Sequence, residues 1–271
     1  MANQYRLSEQ FFSIQGEGQY AGSPSLWARV FGCNLKCPKF PCDTEYSWNG
    51  DYKDDASLVT ASQIVDNWVE MLKTKENPAG DLIHPITRNI MHMVITGGEP
   101  LLPKYQRMFV EVYRELADRY NKEQPFYATI ESNGTQSLST EFEEFMNQPY
   151  GINDPYFDVL FSFSPKLETV SGEKNAINYE NIIHIMSEYS VQLKFVCDAT
   201  AECEEELDYV VNKLSSMCTK SLLTDKLWVM PLGTTRDDQL QIAPIVEKYQ
   251  AKGYKIATRN HTYIWSDDKG R

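Results

Sequence analysis

Three cysteines crowd one short run of the chain, Gly32-Cys33-Asn34-Leu35-Lys36-Cys37-Pro38-Lys39-Phe40-Pro41-Cys42-Asp43-Thr44. Thiolates are ligands for soft metals and for iron–sulfur clusters. Three on one loop can hold three irons of a four-iron cluster and leave the fourth iron open to a ligand. A zinc site is the main alternative and needs a fourth ligand at characteristic spacing. No second cysteine pair follows, and His84, His92, His184 and His261 lie far apart in the sequence. Unrelated core cysteines are a third reading, which the Pro and Lys content of the loop disfavours.

Other residues carry chemistry farther along. Gly97-Gly98-Glu99-Pro100 combines a backbone that can approach a ligand closely with a carboxylate able to accept from an ammonium; a tight strand-to-loop turn is the plainer reading. Ser164-Pro165-Lys166 sets a hydroxyl and a cation at a strand end, where a surface lysine beside a turn is the alternative. Lys194 sits inside an apolar strand and cannot stay unpaired in a core. It either pairs with a carboxylate or faces an anionic ligand, and the second is the expectation. Gln15, Glu17 and Arg29 fall in an N-terminal strand-turn-strand, where a glycine-rich hairpin with a salt bridge would also account for them.

These groups need elements to position them. Ser25 to Phe31 reads as a strand entering the cysteine loop. Tyr46 to Val59 reads as a polar loop. Thr60 and Gln63 fit a capping box, opening a helix with Ile64, Trp68, Met71 and Leu72 on one face. Residues 77–89 read as a loop. Strands are expected at 92–96, 126–131, 157–163, 191–196, 227–231 and 255–258, with helices at 104–120, 179–189, 204–214 and 237–252 and a short one from Thr140. Such repeated βα units predict a mostly parallel sheet with outer helices, an incomplete or modified (β/α) barrel, with a doubly wound open sheet as the alternative. Functional groups then belong at the C-terminal ends of strands, where the cysteine loop, Gly97-Gly98, Ser132-Asn133-Gly134 and Ser164-Pro165-Lys166 all fall. The expectation is one domain over residues 1–271, with a polar, mobile tail at 266–271.

Composition narrows the function. The 271 residues carry a net charge of -12, which disfavours a nucleic-acid surface. No apolar run approaches the ~20 residues needed to span a bilayer. With one cysteine cluster, scattered Cys197, Cys203 and Cys218, and no visible secretory signal, the chain reads as cytoplasmic with reduced thiols.

The cysteine run followed by Gly-Gly-Glu-Pro resembles the radical S-adenosylmethionine (SAM) enzymes. More narrowly, residues 12–18, Gly22-Ser23-Pro24, Arg29, Gly32 to Cys37, Cys42-Asp43-Thr44, Thr96 to Pro100, Glu131 to Thr135, Ser164-Pro165-Lys166, Gln192 to Val196 and Met230-Pro231 resemble the 7-carboxy-7-deazaguanine synthase family, in family order. One departure stands out: four residues, Pro38 to Pro41, separate the second and third cysteines, where the family usually has two.

The resemblance implies a 4Fe-4S cluster on Cys33, Cys37 and Cys42, with SAM at the open iron. It places SAM beside Asp43, Gly97, Gly98, Glu99, Ser164, Pro165, Lys166 and Lys194. It implies Mg²⁺ at Thr44, consistent with a preference for oxygen ligands. It sets a pterin substrate beside Ile14, Gln15, Gly16, Arg29 and Thr96, and relatives also end with an Arg and a His beside substrate, here Arg259 and His261, with a pairing of His261 to a surface carboxylate as the equal alternative. Glu17 is expected to accept from the pterin's amino edge and Arg29 to fork onto its carboxylate. The implied activity converts 6-carboxy-5,6,7,8-tetrahydropterin to 7-carboxy-7-deazaguanine with loss of ammonia. The implied partners are a reductant such as flavodoxin or ferredoxin and a second copy of the chain, with no direct nucleic acid and no membrane. A glycyl-radical activase and a non-catalytic zinc module are the rival functions.

Overall fold

The computed structural model describes residues 2–39, 42–120, 126–148, 157–266 and 270. Its strands are β1 (Tyr5–Ile14), β2 (Pro24–Val30), β3 (Ser57–Val59), β4 (His92–Gly97), β5 (Phe126–Ser132), β6 (Phe157–Phe163), β7 (Ser190–Cys197), β8 (Leu227–Pro231) and β9 (Lys255–Ile256). They form one sheet in the order β3-β1-β2-β4-β5-β6-β7-β8-β9. The pairs from β2 through β9 are parallel. β1 is antiparallel to β2 and β3. The sheet is open, with β3 and β9 at its two edges.

The helices are α1 (Ala61–Leu72), α2 (Pro103–Arg119), α3 (Thr140–Met146), α4 (Glu168–Ser171), α5 (Tyr179–Glu188), α6 (Ala201–Met217), α7 (Lys220–Leu223), α8 (Arg236–Gln239), α9 (Ala243–Ala251) and α10 (Asn260–Trp265). The expected capping box opens α1: Thr60 Oγ1 accepts from Gln63 N at 3.3 Å, and Gln63 Oε1 accepts from Thr60 N at 2.8 Å.

Side-chain alternation shows how the layers are arranged. Leu26, Ala28, Val30, Met93, Ile95, Ala128, Ile130, Phe161, Leu193 and Phe195 point to one face, where they pack with Trp68 of α1, Tyr105 of α2, Phe142 of α3, Ile182 of α5, Leu207 of α6 and Tyr249 of α9. The intervening residues Arg29, Thr96, Glu131, Ser162 and Lys194 point the other way and line a cavity. A parallel sheet covered by helices on both faces has strands that are apolar throughout. Here the second face turns charged and polar side chains into a cavity, which is why these strands alternate and why the incomplete barrel, rather than the doubly wound sheet, is the outcome.

Several boundaries differ from expectation. The polar stretch 46–59 opens within a one-turn 3-10 helix, Glu45–Ser47, contains another at Gly50–Tyr52, and its end joins the sheet edge as β3. The helix expected over 237–252 is two, α8 and α9, because Pro244 lacks an N–H and is accommodated in the first turn of α9. The last strand stops at Ile256, and α10 follows. Trp68, expected on the apolar face of α1, is a core residue, and so is Tyr113 of α2. Among the described residues, no helix is long and apolar enough to cross a membrane.

Candidate active site

The cavity is about 270 Å³. Seventeen of the residues expected at a site line it: Cys33, Cys37, Cys42, Asp43, Thr44, Gly97, Gly98, Ser164, Pro165, Lys166, Lys194, Ile14, Gln15, Glu17, Arg29, Thr96 and His261. Gly16 and Glu99 stand behind its wall. Phe11, stacked on Trp27 at 5.4 Å with 7° between rings, adds a flat apolar panel that the sequence did not single out.

The cysteine loop leaves the C-terminal end of β2. It is fastened to the turn after β4: Gly98 N donates to Val30 O at 3.1 Å, and Glu99 N donates to Gly32 O at 2.8 Å. A Cβ on Gly98 would run into the Gly32 carbonyl, and Gly97 sits at φ 126°, a region open to glycine. Part of the reason for two glycines is thus the crossing of two backbones, where the sequence suggested only the approach of a ligand. Glu99 is fully buried and accepts from Leu101 N at 2.8 Å, Ser132 Oγ at 2.7 Å and Asn133 N at 2.8 Å. Its carboxylate locks the ends of β4 and β5 together.

The thiols themselves make only weak contacts. Cys33 Sγ accepts from Leu35 N at 3.4 Å, and Cys42 Sγ lies 3.5 Å from Thr44 Oγ1. Burial pushes the Cys33 thiol up to about 12, assisted by the Glu99 carboxylate and the other two thiols. Burial also raises Cys37, against the nearby Lys166 ammonium. Three thiolates so placed repel one another and call for positive charge from a metal. Among the described residues, no three His, Cys, Asp or Glu side chains converge on a single ion. The donor set, three soft thiols on one loop facing a cavity, fits a cluster. Phe40 and Pro41, within the longer second gap, lie outside the described residues.

On the far side, ion pairs run through the cavity wall. Lys194 Nζ donates to Glu17 Oε2 at 2.7 Å, and Arg259 Nε donates to Glu17 Oε1 at 3.1 Å. Arg259 also pairs with Asp43, next to the third cysteine. Of the two alternatives for Lys194, the structure gives the carboxylate partner. Burial alone would raise the Glu17 carboxyl, but Lys194 and Arg259 outweigh it and hold it well below the usual carboxylate range. Burial likewise works against the charge on Lys194, and Glu17 and Glu131 more than restore it. Gln15 Nε2 and Thr96 Oγ1 donate to the two Glu131 oxygens at 3.2 and 2.9 Å. Arg29 Nε donates to Glu9 at 2.7 Å, and Tyr46 OH donates to the same carboxylate at 2.6 Å, so one edge of the Arg29 fork is already engaged. His261 packs against Gly16, and burial lowers its pKa. Lys166 Nζ donates to Ser164 Oγ at 3.2 Å. Of the expected tail, Ser266 and Gly270 line the cavity, and 267–269 and 271 lie outside the described residues.

Glu9, Tyr46, Asp43's partner Arg259, and Glu131 in its bonding role are parts of the site that sequence reasoning did not assemble. Glu131 and Arg259 fall in stretches that the family resemblance marks, whereas Glu9 and Tyr46 carry only the signal of a charged residue in a strand and a polar one just after the cysteine loop.

An open, mostly parallel βα sheet whose first parallel strand leads into a three-cysteine loop beside a cavity at the C-terminal ends of the strands is the arrangement of the radical SAM class. No protein-family model matches the chain. A curated 7-carboxy-7-deazaguanine synthase from Buchnera aphidicola is 31% identical over 66% of this chain and 77% of the relative. One from Halobacterium salinarum is 24% identical over 96% of this chain and 90% of the relative. The crystal structure of QueE from Escherichia coli superposes with a TM-score of 0.59 at 19% identity, covering 95% of both chains. The chain belongs to the 7-carboxy-7-deazaguanine synthase family, a family of radical SAM lyases in 7-deazaguanine biosynthesis.

Proposed function

We propose that the chain converts 6-carboxy-5,6,7,8-tetrahydropterin to 7-carboxy-7-deazaguanine, with loss of ammonia. The observation that carries this reading is a single cavity lined both by Cys33, Cys37 and Cys42 and by Gln15, Glu17, Arg29 and His261. In this reading the three thiolates hold a 4Fe-4S cluster, SAM lies along Gly97-Gly98 and Ser164 to Lys166, and Thr44 offers its hydroxyl to Mg²⁺. When bound, the cluster and SAM supply a carbon radical that removes hydrogen from the substrate.

The chain's own residues position and shield. Phe11 and Trp27 give a flat surface for a pterin ring, and Arg29, half-committed to Glu9, offers its remaining donors to the substrate carboxylate. Thr96 and Gln15 hold Glu131, and Lys194 and Arg259 hold Glu17, so that both carboxylates keep fixed orientations as acceptors for ring N–H and amino groups. The apolar side of the cavity limits water around a reactive intermediate. A one-electron donor such as flavodoxin or ferredoxin and a second copy of the chain are the partners this reading implies, in the cytoplasm.

The test is anaerobic incubation of iron-loaded protein with carboxytetrahydropterin, SAM, reductant and Mg²⁺, followed by mass spectrometry. A deazapurine carboxylic acid is expected. Its absence from protein that holds a full cluster would sink the assignment.

A further inference from the structure

The stretch after Cys37 is longer than the family pattern, and something must hold it. Its described part, Pro38-Lys39, lies on α4 and the turn that follows. Lys39 N donates to Ser171 O at 3.0 Å, and Lys39 Nζ donates to Thr169 O. Gly172, in the left-handed region at φ 75°, leaves no room for a Cβ beside Lys39 and Pro38. Next to it, Glu173 Oε1 accepts from Lys36 N at 2.5 Å and from Cys37 N at 2.6 Å. Cys37 itself adopts φ 46°, uncommon for a residue with a side chain, and this pair of bonds holds it there.

The support is braced in turn. Glu206 of α6 accepts from Glu168 N at 2.7 Å, Thr169 N at 2.8 Å and Thr169 Oγ1 at 2.5 Å, pinning the first turn of α4. Glu173 N donates to Ser171 Oγ at 3.1 Å. The segment so fixed begins directly after Ser164-Pro165-Lys166, which lines the cavity. A carboxylate oxygen shared by two backbone N–H groups beside a cysteine ligand does two things. It fixes the backbone of that ligand, and it puts negative charge near the metal while occupying two donors that would otherwise be free to bond sulfur. Net charge and hydrogen bonds to sulfur are among the factors that set cluster potentials.

We propose that Glu173 is the positioning residue for the Cys37 ligand, and that its charge makes the cluster held there harder to reduce. The proposal rests on the reading of Cys33, Cys37 and Cys42 as cluster ligands.

The two contributions separate by substitution. Glu173→Gln keeps an acceptor oxygen for both N–H groups but loses the charge. Glu173→Ala loses both. Each full-length variant and the parent are reconstituted anaerobically, assayed for iron and sulfide per chain, and titrated electrochemically with the cluster followed by electron paramagnetic resonance. The expected result is that E173Q retains its iron with a midpoint potential shifted to more positive values, while E173A loses most of its iron at unchanged secondary structure by circular dichroism. Parental iron content in E173A together with a parental midpoint in E173Q overturns the proposal and leaves the cluster reading standing. A parent chain that takes up no iron overturns the cluster reading, and this proposal with it.

Discussion

On one side of the cavity, Lys194, Glu17, Arg259 and Asp43 form a chain of ion pairs in which every charge has a partner. On the other, Cys33, Cys37 and Cys42 share the space with only weak sulfur contacts, and burial raises Cys33 and Cys37. The charged wall is complete in itself; the thiol wall is not, and its sulfur atoms are left with only weak partners. Asp43 joins the two: it follows the third cysteine and takes the far end of the ion-pair chain from Arg259. The contrast suggests that loss of a charged-wall residue damages the fold, while loss of a thiol damages function and leaves the fold intact.

The largest effect should come from the thiol side. Cys33→Ala is expected to abolish product formation and to reduce iron content to near background, with thermal unfolding unchanged before reconstitution. An equal loss of melting temperature in the metal-free protein would erase the distinction between the two walls. The charged wall should behave in the opposite way. Lys194→Met leaves Glu17 buried without its nearest partner, and breaking a buried pair from one side costs about 3–5 kcal/mol. Chemical denaturation measures this. Adding Glu17→Gln to the same chain should recover part of the loss, because the orphaned charge is gone.

Gly98→Ala tests the joint on which the thiol wall hangs. The new methyl would meet the Gly32 carbonyl, and overpacking of this kind costs about 1–3 kcal/mol. Because the displaced backbone is that of the cysteine loop, iron uptake should fall together with stability. A variant that loses stability but binds iron as the parent does would show that the loop is held elsewhere.

The two walls were unequally legible in the sequence. Cysteines, the glycine pair and Ser-Pro-Lys are local signatures at strand ends, and each could be read where it stands. The ion pairs join residues far apart in the chain: Lys194 is 177 positions from Glu17, and Arg259 is 242 from Glu17 and 216 from Asp43. No local pattern contains them, so Lys194 was legible as a buried cation in need of a partner but not as the partner of Glu17. The parallel sheet followed from repeated βα units, since their apolar faces must be covered by helices. The edge strand β3 escaped because Ser57 and Leu58 are exposed and the strand is three residues long. The bond from Glu173 to the Cys37 backbone was invisible for a further reason: a side chain that recognises N–H groups leaves no mark on the identity of the residues it recognises.

Smaller effects sharpen the contrast by leaving both walls alone. His92 lies on the cavity side of β4, its Nε2 2.7 Å from Thr129 Oγ1 and its ring against Tyr20. Burial lowers it to about 4. A histidine whose folded pKa is depressed contributes stability that is complete above its unfolded value of about 6.5 and is lost as pH falls toward 4. Stability should thus fall by about 1–2 kcal/mol between pH 7 and pH 5, and His92→Gln should flatten part of that slope, the remainder belonging to His261. Thr60→Ala removes one arm of the capping box on α1, remote from the cysteines, and should cost about 1 kcal/mol. Iron content and potential in this variant should match the parent at the same temperature. If this modest loss of stability also empties the cysteine loop, then the thiol wall reports global stability, and the losses expected in Gly98→Ala and Glu173→Ala need no local cause.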